Sequence, residues 1–314
     1  MDRYTEKELL EAKFEDAEPL LEGLIYRGQN TLLVAPEKSA KTMFSLQVAL
    51  ALAHGVKLLN WNVPQPVKVT YIAFEDTHEA NRDMVRRLRN GMGITNLTDR
   101  FILRKAPTLH LHTPPGARAL RAVLEEDRPD VLMLDPWYRL YKGSANDDGL
   151  MGEVTAVLNE EASKFKHATW IPHHEHKLRT DFGVEFETKA QRYAGVWTLG
   201  AWVTNMYGFH FSAETHNARF MPLVERFPRL KAINLVLRDE PDILLFDFSA
   251  ADRVIQSLPE LEGMSIGGAA KYLGMHRESM DRALHRMQKD GTVVLVKQGR
   301  ETIIGVPSGH SRDN

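Results

Sequence analysis

The segment Asn30-Thr31-Leu32-Leu33-Val34 is a short apolar run, and it feeds directly into Ala35-Pro36-Glu37-Lys38-Ser39-Ala40-Lys41-Thr42. The run reads as a buried strand. From Met43 to His54 apolar residues recur at helical spacing, and Gly55 offers a C-cap. Strand, tight loop, Lys-Thr and helix in this order form the layout of a phosphate-binding loop. There, loop amides and the helix N-terminus hold phosphates, Lys41 reaches the β- and γ-phosphates, and the Thr42 hydroxyl holds Mg²⁺. The usual pattern, G-x-x-x-x-G-K-[ST], has glycine where this chain has Ala35 and Ala40. Glycine lets backbone approach phosphate without a Cβ; alanine takes up space but removes no N–H. The plainer alternative is a strand-turn-helix with a chance Lys-Thr.

A second strand, Lys68 to Phe74, runs into Glu75-Asp76-Thr77 and an arginine-rich helix carrying Arg82, Arg86, Arg87 and Arg89. Ligands of parallel sheets bind at the carboxyl ends of strands. Glu75 is therefore placed to polarise a water beside a γ-phosphate; otherwise Glu75 and Asp76 merely cap the next helix. Phe101-Ile102-Leu103 is a further strand, followed by a loop with Pro107, Pro114 and Pro115 and a helix from Ala117 to Glu126. Asp130-Val131-Leu132-Met133-Leu134-Asp135-Pro136 is a buried strand that would deliver Asp135 to Mg²⁺ through water or Thr42. Asp before Pro also opens turns. After a helix from Met151 to Phe165, the strand Ala168 to Pro172 ends in His173-His174-Glu175-His176-Lys177. Zinc is one reading, but the spacing is not H-E-x-x-H and the chain has no cysteine. The others are a plain polar strand end, or His174 beside the γ-phosphate as a sensor with Lys177 nearby.

The 314 residues suit one large domain or two ordinary ones. A net charge of −2 announces no nucleic-acid binder, so any such surface must be local. No run approaches 18 apolar residues, so the sequence offers no spanning helix, no membrane partner and no signal-peptide core. Without cysteine it fits a reducing, cytoplasmic setting. Residues 1–30 read as an acidic lead-in helix and an apolar stretch around Leu20 to Gly28. The aromatics of 193–209, among them Tyr207, read as core and strand rather than a base-stacking platform. Leu230–Leu237 and Ile243–Phe248 read as an antiparallel hairpin closing the sheet edge.

Past Pro259 the composition changes. Two helices, Met264–Met275 and His276–Gly291, precede a hairpin of 292–296 and 302–306; the arrangement resembles a winged-helix domain. Met280, Ala283, Leu284 and Met287 fall on one face of the second helix. From Lys271 to Arg300 seven Lys/Arg stand against three Asp/Glu, which suits phosphate contacts. Arg277, Arg282, Arg286, Lys297 and Arg300 are the expected DNA contacts; the alternative is a protein-docking module with solvated charges.

The ordered set Ala35–Thr42, Ala73-Phe74-Glu75-Asp76-Thr77, Leu134-Asp135-Pro136-Trp137-Tyr138-Arg139 and His173–Lys177 resembles the RecA-type ATPases of the phage- and plasmid-associated AAA group, which includes RepA-like hexameric replicative helicases. The resemblance covers about residues 20–248. It implies an α/β, RecA-like P-loop core with a mostly parallel twisted sheet over 31–250, following the lead-in of 1–30 and preceding the winged helix of 258–308. It implies ATP and Mg²⁺ as cofactors, with Ala35, Pro36, Glu37, Lys38, Ser39, Ala40, Lys41 and Thr42 around the nucleotide. Glu75 is then the base, Asp135 the Walker B carboxylate and His174 the γ-phosphate sensor. A homo-oligomeric, hexameric ring acting on single-stranded DNA is implied too. RepA-like helicases carry an arginine finger after a small-residue segment; Arg192 and Arg238 are candidates by position only, and Tyr207 falls near the expected place. Without a finger the protein would be a slow ATPase or an ATP-gated regulator. A scaffold that binds no nucleotide is the remaining alternative.

Overall fold

The computed structural model describes residues 3–12, 17–175, 197–224, 230–289, 291–299 and 301–307. After a capped helix α1 (Glu6–Glu11) and a short antiparallel pair, β1 (Pro19–Leu21) with β2 (Ile25–Tyr26), the chain enters β3 (Asn30–Ala35) and α2 (Lys41–His54). All six residues of β3 are buried, as an apolar run flanked by parallel neighbours must be. Then come β4 (Val69–Ala73), α3 (His78–Gly91), β5 (Phe101–Lys105), α4 (Pro114–Asp127), β6 (Val131–Asp135), a turn of 3-10 helix (Trp137–Leu140), α5 (Asp148–Phe165) and β7 (Ala168–His174). The helix α6 (Trp197–Trp202) precedes β8 (Asn205–Phe211), β9 (Asn217–Val224), β10 (Ile233–Glu240) and β11 (Ile243–Phe248).

One nine-stranded sheet has the order β11-β10-β9-β8-β3-β7-β6-β4-β5. The strands from β8 to β5 are parallel; β9, β10 and β11 continue the sheet antiparallel. Core lies on both faces. One cluster gathers Phe44 and Leu46 of α2 with Leu88, Tyr207, Phe220 and Phe246. The other gathers Leu120, Leu124, Trp137, Met151 and Leu158.

Two elements differ from the sequence expectation. Pro114 and Pro115 open α4 instead of lying in a loop; at the first turn a missing N–H costs nothing. β7 runs through His173 and His174, past the expected end at Pro172. The expected hairpin is β10–β11. The arginines of α3 grip it: Arg86 pairs with Asp242 at 2.7 Å, and Arg87 donates to the Glu240 carbonyl at 2.6 Å and to the Asp239 carboxylate. At Gly91 helix and hairpin touch so closely that a Cβ would lie 2.6 Å from the Leu244 carbonyl oxygen. The segment 178–190 lies outside the described residues.

Helices α7 (Ala250–Gln256), α8 (Leu258–Leu261), α9 (Ile266–Tyr272) and α10 (Arg277–Lys289) and an antiparallel pair, β12 (Val294–Gln298) with β13 (Glu301–Gly305), form a C-terminal unit with its own core. Met280, Ala283, Leu284 and Met287 all point into that core. No helix among the described residues is long and apolar enough to cross a membrane.

His167, between α5 and β7, is fully buried, and neither ring nitrogen has a hydrogen-bond partner among the described residues. Burial pushes its pKa down to about 4. A histidine depressed on folding contributes stability that is present above about pH 6.5 and lost as pH falls towards 4. His167→Phe should remove this acid sensitivity. Urea melts of both proteins at pH 7 and pH 4.5 should show the wild type losing about 2–3 kcal/mol more than the variant.

Candidate active site

Strands β3, β7, β6 and β4 are consecutive and parallel, so their carboxyl ends share one rim. β6 pairs with β7 only as far as Met133 and Trp170, and beyond that the strands part. A cavity of about 1090 Å³ opens there, walled by the loop from Pro36 to Thr42 and by Glu75, Tyr138, His174 and Phe211.

The loop makes its turn with left-handed backbone at Lys38 (φ +56°) and Ala40 (φ +57°). Ser39 Oγ donates to the Pro36 carbonyl at 2.6 Å. Ala40 is the N-cap of α2 and gives no side-chain cap, which leaves the first amides of the helix to an anion. Left-handed alanine costs about 1–2 kcal/mol. Ala40→Gly should therefore raise the urea midpoint, by a net amount under about 1 kcal/mol because glycine also frees the unfolded chain. A lower midpoint would contradict this account of the loop.

Lys41 is 6% exposed. Its Nζ donates to the carbonyls of Pro36 (2.6 Å) and Ala35 (3.2 Å) and lies 3.2 Å from His174 Nδ1. Burial pulls its pKa down to about 8, against the pull of Asp135, Glu37 and Glu75. Burial and the Lys41 charge hold His174 below its ordinary value. A neutral His174 can thus accept from Lys41 through Nδ1.

Asp135 is 5% exposed and takes hydrogen bonds from the hydroxyls of Tyr71 and Thr42. Burial pushes its pKa up to about 6, although both hydroxyls and Lys41 favour the carboxylate. It stands behind the cavity wall and meets the cavity through Thr42. Glu75 sits at the mouth with its side chain 42% exposed. The Tyr138 hydroxyl donates to Glu75 Oε1, and Arg139 Nη2 lies 3.3 Å from the same oxygen. The Tyr138 ring lies 5.4 Å from that of His174. Thr77, not Glu75 or Asp76, caps α3.

Lys41, Thr42, Glu75, Asp135 and His174 thus converge. Tyr138 and Arg139 belong with them; the sequence offered them only within the motif Leu134–Arg139, with no role of their own. Arg277, Arg282, Arg286 and Lys297 are exposed on the C-terminal unit and do not line the cavity. Arg300, Arg192, His176 and Lys177 lie outside the described residues. Arg238, on β10, pairs with Glu240 at 3.1 Å. Tyr207 is a core residue stacked on Phe220 and cannot stand at a finger position.

A family model described as "AAA domain" matches residues 3–180, more than half of the chain. The chain belongs to the AAA domain family. The matched span of this AAA-domain protein contains the loop, Glu75, Asp135 and His174 and ends before the C-terminal unit. A comparison with curated proteins gave no match. Among solved structures it is similar to one described as an "ATPase Domain", at 11% identity and a TM-score of 0.51, over 70% of this chain and 85% of that one. It is similar also to one described as "Crystal structure of the RadB recombinase", at 15% identity and a TM-score of 0.48, over 71% and 91%. The fold of this AAA-domain protein is α/β with a large, mostly parallel central sheet, as in the structure described as an "ATPase Domain".

Proposed function

We propose that this protein binds and hydrolyses ATP with Mg²⁺ and acts on DNA as a RepA-like helicase or helicase-like ATPase. The observation that carries the reading is the meeting of Lys41, Thr42, Glu75, Asp135 and His174 at one rim. In this reading the uncapped start of α2 and the loop amides receive the phosphates. Lys41 exchanges the Pro36 and Ala35 carbonyls for β- and γ-phosphate oxygens. The Thr42 hydroxyl with Asp135 behind it is a hard-oxygen pair fit for Mg²⁺, which supplies charge neutralisation at the phosphates. Glu75 takes a proton from the attacking water, the P–O bond to ADP breaks, and Lys41 faces the developing charge. His174, in contact with Lys41, registers whether the γ-phosphate is present.

Lys38 and Lys41 are the only Lys or Arg side chains lining the cavity among the described residues. An arginine that completes the transition state, Arg192 or Arg238 by position, is read as coming from a neighbouring copy, in a ring with ATP at subunit boundaries. We divide the chain into a lead-in (1–30), an ATPase domain (31–250) and a winged-helix domain (258–308). The exposed Arg277, Arg282, Arg286 and Lys297, with Arg300, serve DNA there, in a cytoplasmic protein.

The test is an ATPase assay with and without single-stranded DNA, joined to strand displacement on forked DNA. The reading expects DNA-stimulated hydrolysis and displacement. The hold of Tyr138 and Arg139 on Glu75 favours a second reading, an ATP-gated DNA-binding regulator; slow hydrolysis with no displacement would select it. No binding of a fluorescent ATP analogue at millimolar ligand would leave only a scaffold.

A further inference from the structure

A second groove, of about 540 Å³, runs between the antiparallel flank of the sheet and the C-terminal unit. Its lining includes His210 and Phe211 of β8, Arg219 of β9, Asn234 of β10, Ser249 and Arg286 of α10. Arg219 and Arg286 are exposed, and neither guanidinium has a hydrogen bond or ion pair among the described residues. They come from different units and face one cleft. No carboxylate lines it. Asp252, next along from the wall residue Ala251, is committed to Asn234 at 3.0 Å and Ser249 at 2.6 Å. In a chain where 42 acidic residues outnumber 40 Lys and Arg, this is a local excess of positive charge.

Two further features place the groove. Phe211 is partly exposed at the end of β8, with its ring against Phe246 on the face of the sheet opposite Arg219. It also lines the large cavity, so the groove opens beside the nucleotide site. Glu175 bridges the two: its N–H donates to the Ala35 carbonyl at 2.9 Å, and its carboxylate lies 4.0 Å from His210 Nε2. A cationic groove suits the backbone of one nucleic-acid strand, whose phosphates meet the cations.

We propose that this groove holds the backbone of a single nucleic-acid strand, with phosphate between Arg219 and Arg286. The proposal rests on the reading that the protein acts on DNA. The strand then ties the C-terminal unit to the sheet one side chain away from the nucleotide.

The experiment is fluorescence anisotropy of a labelled single-stranded oligonucleotide with the full chain, across a salt series. Arg219→Gln and Arg286→Gln should each weaken binding and reduce the salt slope by about one. Arg219→Lys should restore the slope, which a misfolded variant could not do. Arg82→Gln, on exposed α3 outside the groove, should change nothing. If Arg286→Gln weakens binding and Arg219→Gln does not, the strand lies on the C-terminal unit alone; the groove is overturned and DNA binding stands. If the wild type binds no oligonucleotide, both fall.

Discussion

Glu75→Gln should lower ATP turnover by about two to four orders of magnitude, the usual worth of a positioned general base. The amide keeps the volume and the hydrogen bond from Tyr138 but cannot take a proton. Glu75 lies at the mouth, away from the loop amides that would hold the phosphates, so affinity for an ATP analogue should stay near wild type. Turnover and KM should therefore separate, as expected when an interaction belongs to the transition state. Tyr138→Phe is the control. It removes the hydroxyl that holds Glu75 Oε1 but leaves the carboxylate, so turnover should remain measurable. A tyrosine variant as inactive as Glu75→Gln would shift the essential role away from the carboxylate, and a fully active Glu75→Gln would remove the proposed mechanism.

Lys41→Ala should bring hydrolysis below detection and weaken binding of the ATP analogue as well. The lysine occupies the floor of the loop, and among the described residues Lys38 is the one other Lys or Arg lining the cavity. Its loss should cost the free protein little stability: burial already pulls its pKa down to about 8, the sign of an ammonium held at a cost for function. The same shift has a kinetic consequence. The pH profile of kcat/KM reports groups on the free enzyme. Its alkaline limb should fall as Lys41 loses its proton near pH 8, and its acid limb should rise near pH 6 as Asp135 ionises. Steady-state rates from pH 5 to 9.5 would show a narrow bell. A flat profile through pH 8 would mean that the charge of Lys41 is not needed, and activity surviving Lys41→Ala would end the assignment.

Much of this site could be read from the chain because its parts are local. The β3–loop–α2 unit announces itself by an apolar run, a turn and a helical period within 25 residues. Glu75 and Asp135 stand directly beyond apolar strands, and their shared rim follows from the parallel order. What escaped depends on distant partners. Tyr138 matters because its turn folds back over the end of β4, and no spacing encodes that contact. Arg86 and Arg87 read only as part of an arginine-rich helix, because their partners Asp242 and Asp239 stand some 150 residues later. Strand β9 carries a mixed burial pattern and a proline, so its period of two is faint. Ala40 read only as an alanine that takes up space where glycine is usual; the backbone there adopts the left-handed turn that glycine would give.

β8 is bonded on one side to the strand that feeds the phosphate loop and on the other to β9. The antiparallel flank, clamped by Arg86 and Arg87, is thus an extension of the same plate. A pull on that flank reaches the loop through backbone hydrogen bonds rather than through a flexible joint. In the proposed reading, strain on the flank would therefore be felt at the loop that receives the phosphates.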